Sequence, residues 1–399
     1  VSGSTRNVGT VAARGLAVVA LVGLAGTLQG CPDMFEPYWR VQSYRVLGLK
    51  ADPVALEPGE VAELSVLDYR PAEAEVTYRW SWCPVEPSAQ ESFECPFRRI
   101  GSRLPDAGRR TGDAATGGDA GREAPISLDP SLFELGGGPT AELAYPGTRE
   151  QVRRFCLRLQ EVLAGAGEQS GLGGRLPTSD CSRSIEVAVR LEAVTDGGER
   201  EVAKKDVQLQ IGGDELNENP EHGGIAIRVA KPSDVEKARE VLDWVPPADR
   251  ERSEQWFEMP EGEALPVVAG MPWELRAEVG SESIQTYRPP PPAGSDRERG
   301  EPTRERLTFR WFVSGGTLSE AQRIHIPGRN DLEELRRTVF DIPTPPASEC
   351  DAEGSTGGSE ERTARSPCDM LVASVVRDGR DGLNWSRRRV RVVGSGADE

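Results

Sequence analysis

Seven cysteines and two histidines are the side chains of this sequence best suited to ligate a metal, bridge two segments or relay a proton. The cysteines are Cys31, Cys83, Cys95, Cys156, Cys181, Cys350 and Cys368; the histidines are His222 and His325. Zinc chemistry needs thiolates and imidazoles at short, paired spacings. The chain has no CxxC pair and no Cys/His knuckle, so no metal is expected. A Ser-His-Asp site would have to use one of the two histidines without a motif around it. There is no HExxH, GxSxG, GxxxxGK[ST] or dinucleotide-binding fingerprint, and no motif calls for a cofactor. His222 precedes Gly223-Gly224 and His325 sits between apolar residues in "RIHIP". Packing or surface roles are expected for both, and no catalytic residue is assigned. The 65 acidic residues leave one enzymatic alternative, a polysaccharide hydrolase using loop carboxylates. A second alternative is a spacer stabilised by calcium. Asp214, Glu215, Asn217, Glu218, Asn219 and Glu221 cluster hard oxygen ligands, although not at EF-hand spacing.

Cys31 stands apart from the other six. Arg6 and Arg14 precede an uncharged run from Gly15 to Gly30, which ends at Cys31. A membrane span needs about 20 apolar residues, and this run is shorter. The layout is that of a secretory signal peptide. Leu28-Gln29-Gly30-Cys31 resembles a bacterial lipobox. The resemblance implies that the Cys31 sulfur carries a diacylglycerol, that cleavage falls before it, and that the new amine is acylated. One myristoyl chain, at about 0.8 kcal/mol per buried methylene, holds only marginally; three chains would anchor the protein for good. The expectation is a signal peptide at 1–30, a lipidated stalk at 31–44, and attachment to a lipid bilayer through acylated Cys31. That places the chain in the cell envelope, facing the periplasm or the exterior.

An even set of six cysteines remains, and in an exported chain it reads as disulfides. Six allow 15 pairings. Sequential pairing, Cys83–Cys95, Cys156–Cys181 and Cys350–Cys368, is favoured because each pair brackets or borders a loop-like segment. Each bridge would contribute about 3 kcal/mol through loop closure.

The formal net charge is −17. Residues 1–30 hold two arginines and no acid, so the remainder is more acidic still. Such a surface repels phosphate backbones and anionic headgroups, which argues against nucleic acid as a partner.

The elements that would carry these residues form a duplicated pattern. "VTYRWSW" (76–82) has a near-copy in "LTFRWFV" (307–313). Val76, Tyr78, Trp80 and Trp82 share one strand face, as do Leu307, Phe309, Trp311 and Val313. Upstream, "PGEVAELSVLDY" (58–69) matches "AGMPWELRAEV" (269–279) in alternation. Downstream, "VAVRLEAVTDGG" (187–198) leads to "DVQLQI", and "MLVASVVRDGRDG" (370–382) leads to "RRVRVV". Asp196-Gly197 and Asp378-Gly379 mark matching turns. Strands with one apolar face must pack sheet on sheet. The repeated order resembles tandem immunoglobulin-like β-sandwiches, with Trp80 and Trp311 as the buried aromatics of the third strand. Neither copy offers cysteines for the antibody-type inter-sheet bridge.

The expected fold is therefore mainly β: two tandem Ig-like β-sandwich domains with helical and disordered insertions. The first spans 45–213 with an insertion at 84–180, the linker is 214–224, and the second spans 225–394 with exposed loops at 281–306 and 343–367, before a tail at 395–399. Thr148 and Gln151 form a capping-box pair ahead of an apolar stripe through Val152, Phe155, Cys156, Leu159, Val162 and Leu163, which predicts a helix. Ser233 and Glu236 predict a second helix over 234–245. The lipobox, the opening strand "RVLGLKADPVALEPGE" (45–60) and the Asn-Pro linker "LNENPEHGG" (216–224) are together similar to a group of envelope lipoproteins from GC-rich bacteria. That resemblance implies architecture and no assigned activity. The function expected is a non-enzymatic binding or scaffold module for an envelope protein or glycan.

Overall fold

The computed structural model describes residues 37–71, 74–85, 87, 89, 92–95, 133–167, 181–213, 216–246, 255–289, 300–344 and 368–394. The expected signal peptide, Cys31, Cys350 and the expected tail lie outside these residues. The chain divides into two compact units, Val1–Arg40 and Val41–Glu399, and both sandwiches belong to the second.

The first sandwich contains β1 (Arg45–Asp52), β2 (Ala55–Leu56), β3 (Val61–Tyr69), β4 (Val76–Cys83), β5 (Glu134–Gly136), β6 (Thr140–Ala144), α1 (Arg149–Gly167), β7 (Ser184–Thr195) and β8 (Arg200–Gln210). One sheet has the order β1-β3-β6 and the other β2-β8-β7-β4-β5. The second sandwich contains β9 (Ile225–Val229), α2 (Val235–Arg239), β10 (Phe257–Glu258), β11 (Ala264–Val268), β12 (Pro272–Ala277), β13 (Thr286–Tyr287), β14 (Thr303–Arg304), β15 (Leu307–Val313), β16 (Thr317–Leu318), β17 (Gln322–His325), α3 (Leu332–Leu335), β18 (Arg337–Asp341), β19 (Asp369–Arg377) and β20 (Leu383–Val393). Its sheets run β10-β9-β12-β18-β16 and β11-β20-β19-β15-β17, with β13 and β14 forming a separate ribbon.

Both copies place the first, second and fifth strands of the immunoglobulin order in one sheet and the third, sixth and seventh in the other. In both, a short segment after the opening strand crosses over to pair parallel with the last strand: β2 with β8, and β11 with β20. The strand order itself makes the two sandwiches Ig-like. Trp80 and Trp311 are fully buried at matching places, opposite Leu191 on β7 and Ser374 on β19. The Trp80 indole donates to the Gly138 carbonyl at 2.9 Å, whereas the buried Trp311 Nε1 has no partner.

Several boundaries differ from the sequence expectation. The 84–180 segment is more than an insertion. Its β5 and β6 complete the two sheets of the first sandwich, and Leu143 enters the core. These strands are three and five residues long, too short to register as a pattern among glycines. α1 carries the capping box in both directions: Thr148 N–H donates to Gln151 Oε1 at 2.8 Å, and Gln151 N–H to Thr148 Oγ1 at 3.3 Å. Val152, Cys156 and Leu159 bury against the first core. The helix expected over 234–245 is only α2. Ser233 donates to Asp234 Oδ1 and does not cap it. Past α2, Leu242 and Val245 bury, and Trp244 donates to the Pro266 carbonyl at 2.9 Å, so tertiary packing overrides the helical pattern. The expected loop 281–306 carries the β13–β14 ribbon and the buried Ile284 and Glu305. In both hairpins the left-handed residue lies beyond the expected glycine, at Gly198 and at Asp381. No helix among the described residues is long and apolar enough to cross a membrane.

Candidate functional site

The linker does not swing free. Asn219 bridges the two sandwiches: its Nδ2 donates to the Ala51 carbonyl at 2.7 Å, and its Oδ1 accepts the Leu383 N–H at 2.9 Å. Asn217 donates to Asp378 Oδ2 and to the Arg380 carbonyl, and Asn384 donates to the Pro220 carbonyl. Asp214 and Glu215 of the expected calcium cluster lie outside the described residues. No metal-ligating cluster of His, Cys, Asp and Glu occurs among the described residues.

Beneath the linker lies an apolar core that neither sandwich owns. Leu47, Leu67 and Tyr69 on the outer face of the β1-β3 sheet pack with Phe312, Ala373, Val375, Leu383 and Trp385 on the outer face of the β15-β19-β20 sheet. Val41 N–H donates to the Val313 carbonyl at 2.9 Å. A Cβ on Gly48 would sit 3.6 Å from the Leu383 side chain, so the backbone approach is close there. This junction cluster is separate from the core of the first sandwich.

The strongest candidate site opens at the edge of that junction. It is a cavity of about 660 Å³, within the range of small-molecule sites. One wall is the end of β3 and the residue after it, Asp68, Tyr69 and Arg70; another is the linker, His222 to Gly224; the floor is β20 from Trp385 to Arg389. β11 pairs with β20 only from Arg389 onward, so the cavity flanks the stretch of β20 that β11 leaves uncovered.

Its charges are unequal. Asp68 is buried and committed: it accepts from Arg70 Nε at 3.1 Å and from the Tyr78 hydroxyl, and Arg70 also donates to that hydroxyl at 2.6 Å. Burial, with the Asp68 hydrogen bond, pushes the Tyr78 hydroxyl up to about 12, and burial drives Tyr44 upward as well. Buried Arg388 donates to the Met259 carbonyl and pairs at 3.2 Å with the exposed Glu261. Arg387 and Arg389 have no ion-pair partner among the described residues. Gly224 N–H donates to His222 Nδ1 at 3.3 Å. Burial and the neighbouring Arg388 hold this imidazole down at about 4, so it is neutral at pH 7. With Nδ1 accepting, its proton sits on Nε2, a buried donor without a partner. The buried Ser386 Oγ is likewise unpartnered. The arrangement can hold an anion on its arginines.

Other expected residues fall elsewhere. Cys83 bonds to Cys95, closing the segment after β4, and Cys156 bonds to Cys181, tying α1 to the start of β7. Cys368 is also in a disulfide; Cys350 and its expected pairing lie outside the described residues. His325 is buried at the end of β17, its pKa lowered by burial and Arg304. A smaller hollow of about 500 Å³ lies beside the β13–β14 ribbon.

Sequence reasoning missed Lys205. It lies on β8 on the same face as Val207 and Leu209, is 2% exposed, and its Nζ has no partner. Burial lowers its pKa to about 8, opposed by Asp381 and Asp378 across the junction. The alternation Ala203, Lys205, Val207, Leu209 carried the signal.

No family model matches the chain, and no curated protein does. Among solved structures the chain is similar to the three N-terminal domains of the highly immunogenic outer capsid protein (Hoc) of bacteriophage RB49, at 8% identity and a TM-score of 0.17, covering 88% of this chain and 59% of that one. It is also similar to murine CEACAM1b, at 6% identity and a TM-score of 0.17, covering 88% of this chain and 100% of that one. A third is E. coli alpha-2-macroglobulin, at 11% identity and a TM-score of 0.18, covering 93% of this chain and 18% of that one.

Proposed function

We propose that this chain is a cell-envelope lipoprotein, anchored to a bilayer through acylated Cys31, and that its paired sandwiches are a non-enzymatic binding or scaffold module for an envelope protein or glycan. The observation that carries the binding reading is the junction cavity, lined from both sandwiches and from the linker. A site built across two domains depends on their staying fixed, and the shared apolar core supports that. The anchoring reading rests on the lipobox-like Leu28-Gln29-Gly30-Cys31 after an apolar run.

The test of the binding reading is affinity capture on the full chain from detergent-solubilised envelope, in parallel with a glycan array. Retention of a defined protein or glycan is expected, reduced by substituting Arg387 and Arg389 together with alanine. Failure to retain any component, or release of cleaved product from an envelope polysaccharide, overturns it. Mass spectrometry of the amino terminus tests the anchor: an unmodified Cys31 removes it.

A further inference from the structure

We infer that the junction cavity is a site for an acidic saccharide, a hexuronate or a short oligomer of one, with its carboxylate on Arg387 and Arg389. This deepens the binding-module reading and rests on it.

The first observation is charge. The chain carries −17, yet this cavity presents four arginines against two carboxylates. One carboxylate, Asp68, is already shared between Arg70 and Tyr78, and the other, Glu261, lies against Arg388. Arg387 and Arg389 are left to a visitor. Guanidinium forks match the planar, two-oxygen geometry of a carboxylate. Two arginines two residues apart on one strand project from the same face, so both can reach one anionic group.

The second observation is the shared face. Alternation along β20 puts Trp385, Arg387 and Arg389 on one face and buried Ser386 and Arg388 on the other, so the two arginines without an ion-pair partner among the described residues stand on the same side as the indole.

The third observation is the ring wall. Trp385 and Tyr69 line the same cavity. A bare inorganic anion gains nothing from an indole, whereas the C–H face of a pyranose packs on one. The volume of about 660 Å³ is also far larger than one phosphate needs and suits one or two sugar rings.

Titration calorimetry of the full chain with digalacturonate decides the matter, with the reduced neutral disaccharide and inorganic phosphate as the other arms. Saturable binding of digalacturonate, weakened about tenfold or more by Arg387→Ala and by Arg389→Ala, is the expected result. Arg387 is exposed, so Arg387→Ala tests the site in a folded protein. Equal binding of phosphate overturns the saccharide and leaves only an anion site. Binding of the neutral disaccharide as strongly as the acid overturns the charge argument. No uronate binding overturns this inference alone if the chain still retains an envelope component, and overturns the binding-module reading as well if it retains none.

Discussion

The two sandwiches share a strand order and differ in what covers the sheet built on their opening strand. In the first, the outer face of the β1-β3 sheet is apolar, with Leu67 buried and Leu47 and Tyr69 partly buried against the second sandwich. In the second, the corresponding face is a lattice of charge. Arg228 pairs with Glu274 at 2.6 Å and Arg276 with Glu278 at 2.6 Å, and Trp256 lies over Arg228, Arg276 and Arg337 at 4.4 to 5.4 Å from its ring centre. The duplicated unit therefore diverged where its surroundings differ. One copy became a foundation for its neighbour, and the other carries ion pairs on the matching face.

The most damaging way to break that comparison is to remove its interlock. Phe312 is 6% exposed in the shared core. Phe312→Ala should cost about 3–5 kcal/mol, as large-to-small core substitutions do. It should also split one cooperative denaturant transition into two. Leu67→Ala on the opposite side should be less than additive with it, by about 0.5–3 kcal/mol, because the two share one cavity. Strict additivity, with the wild type itself already unfolding in two transitions, would mean that the two domains do not stabilise each other.

The repeat was legible in the sequence because period-two alternation survives on every strand with one solvated face. That rule puts Trp80 and Trp311 on core faces, where both are fully buried. The junction was legible only in hindsight. "MLVASVV" has no alternation, which is what burial on both faces looks like, and Phe312 interrupts the pattern between Trp311 and Val313. The cavity could not be read at all. Arg70, His222 and Arg387 lie far apart in the chain, and their meeting depends on how two domains dock. Nothing local encodes that geometry.

Lys205 sharpens the comparison from inside the first sandwich. It occupies a core-facing position and looks toward Asp381 and Asp378 of the second. Its folded pKa of about 8 lies below the ordinary 10.5. The unfolded chain therefore holds the proton more tightly between those values, and stability rises with pH across that window. The contribution is fully present above 10.5 and lost as pH falls through 8. The shift corresponds to about 3 kcal/mol. Lys205→Met should stabilise the protein by up to about that amount at pH 7, and the difference from wild type should shrink between pH 8 and 10. Above pH 10 the buried Tyr44 and Tyr78, with raised pKa values, destabilise both proteins alike. A difference that stays flat with pH would mean that Lys205 is not desolvated.

The paired tryptophans give a smaller, cleaner contrast. Both are buried on matching strands, but only Trp80 has its N–H satisfied, by Gly138. Trp80→Phe loses that hydrogen bond and strands a carbonyl, whereas Trp311→Phe removes a buried donor that had no partner. The first should be the more destabilising by about 1–2 kcal/mol. Equal costs in urea titration would show that the two aromatic sites are satisfied to the same degree.

The smallest effect belongs to the charged face. An exposed cation–π contact is worth about 0.5–1 kcal/mol, and surface ion pairs contribute about 0–1 kcal/mol. Trp256 touches three guanidinium groups, but Arg228 and Arg276 keep their carboxylate partners when the indole is gone. Trp256→Ala should therefore cost no more than about 1–2 kcal/mol by the same contact values, and should leave a single unfolding transition. It should also leave uronate binding intact, because Trp256 does not line the junction cavity. Added salt should weaken the ion pairs of this face while leaving the apolar junction unaffected, so raising ionic strength should lower the cost of Trp256→Ala and not that of Phe312→Ala. A loss as large as that of Phe312→Ala, and insensitive to salt, would mean that this face is a covered core and that the two sandwiches solve the same problem in the same way.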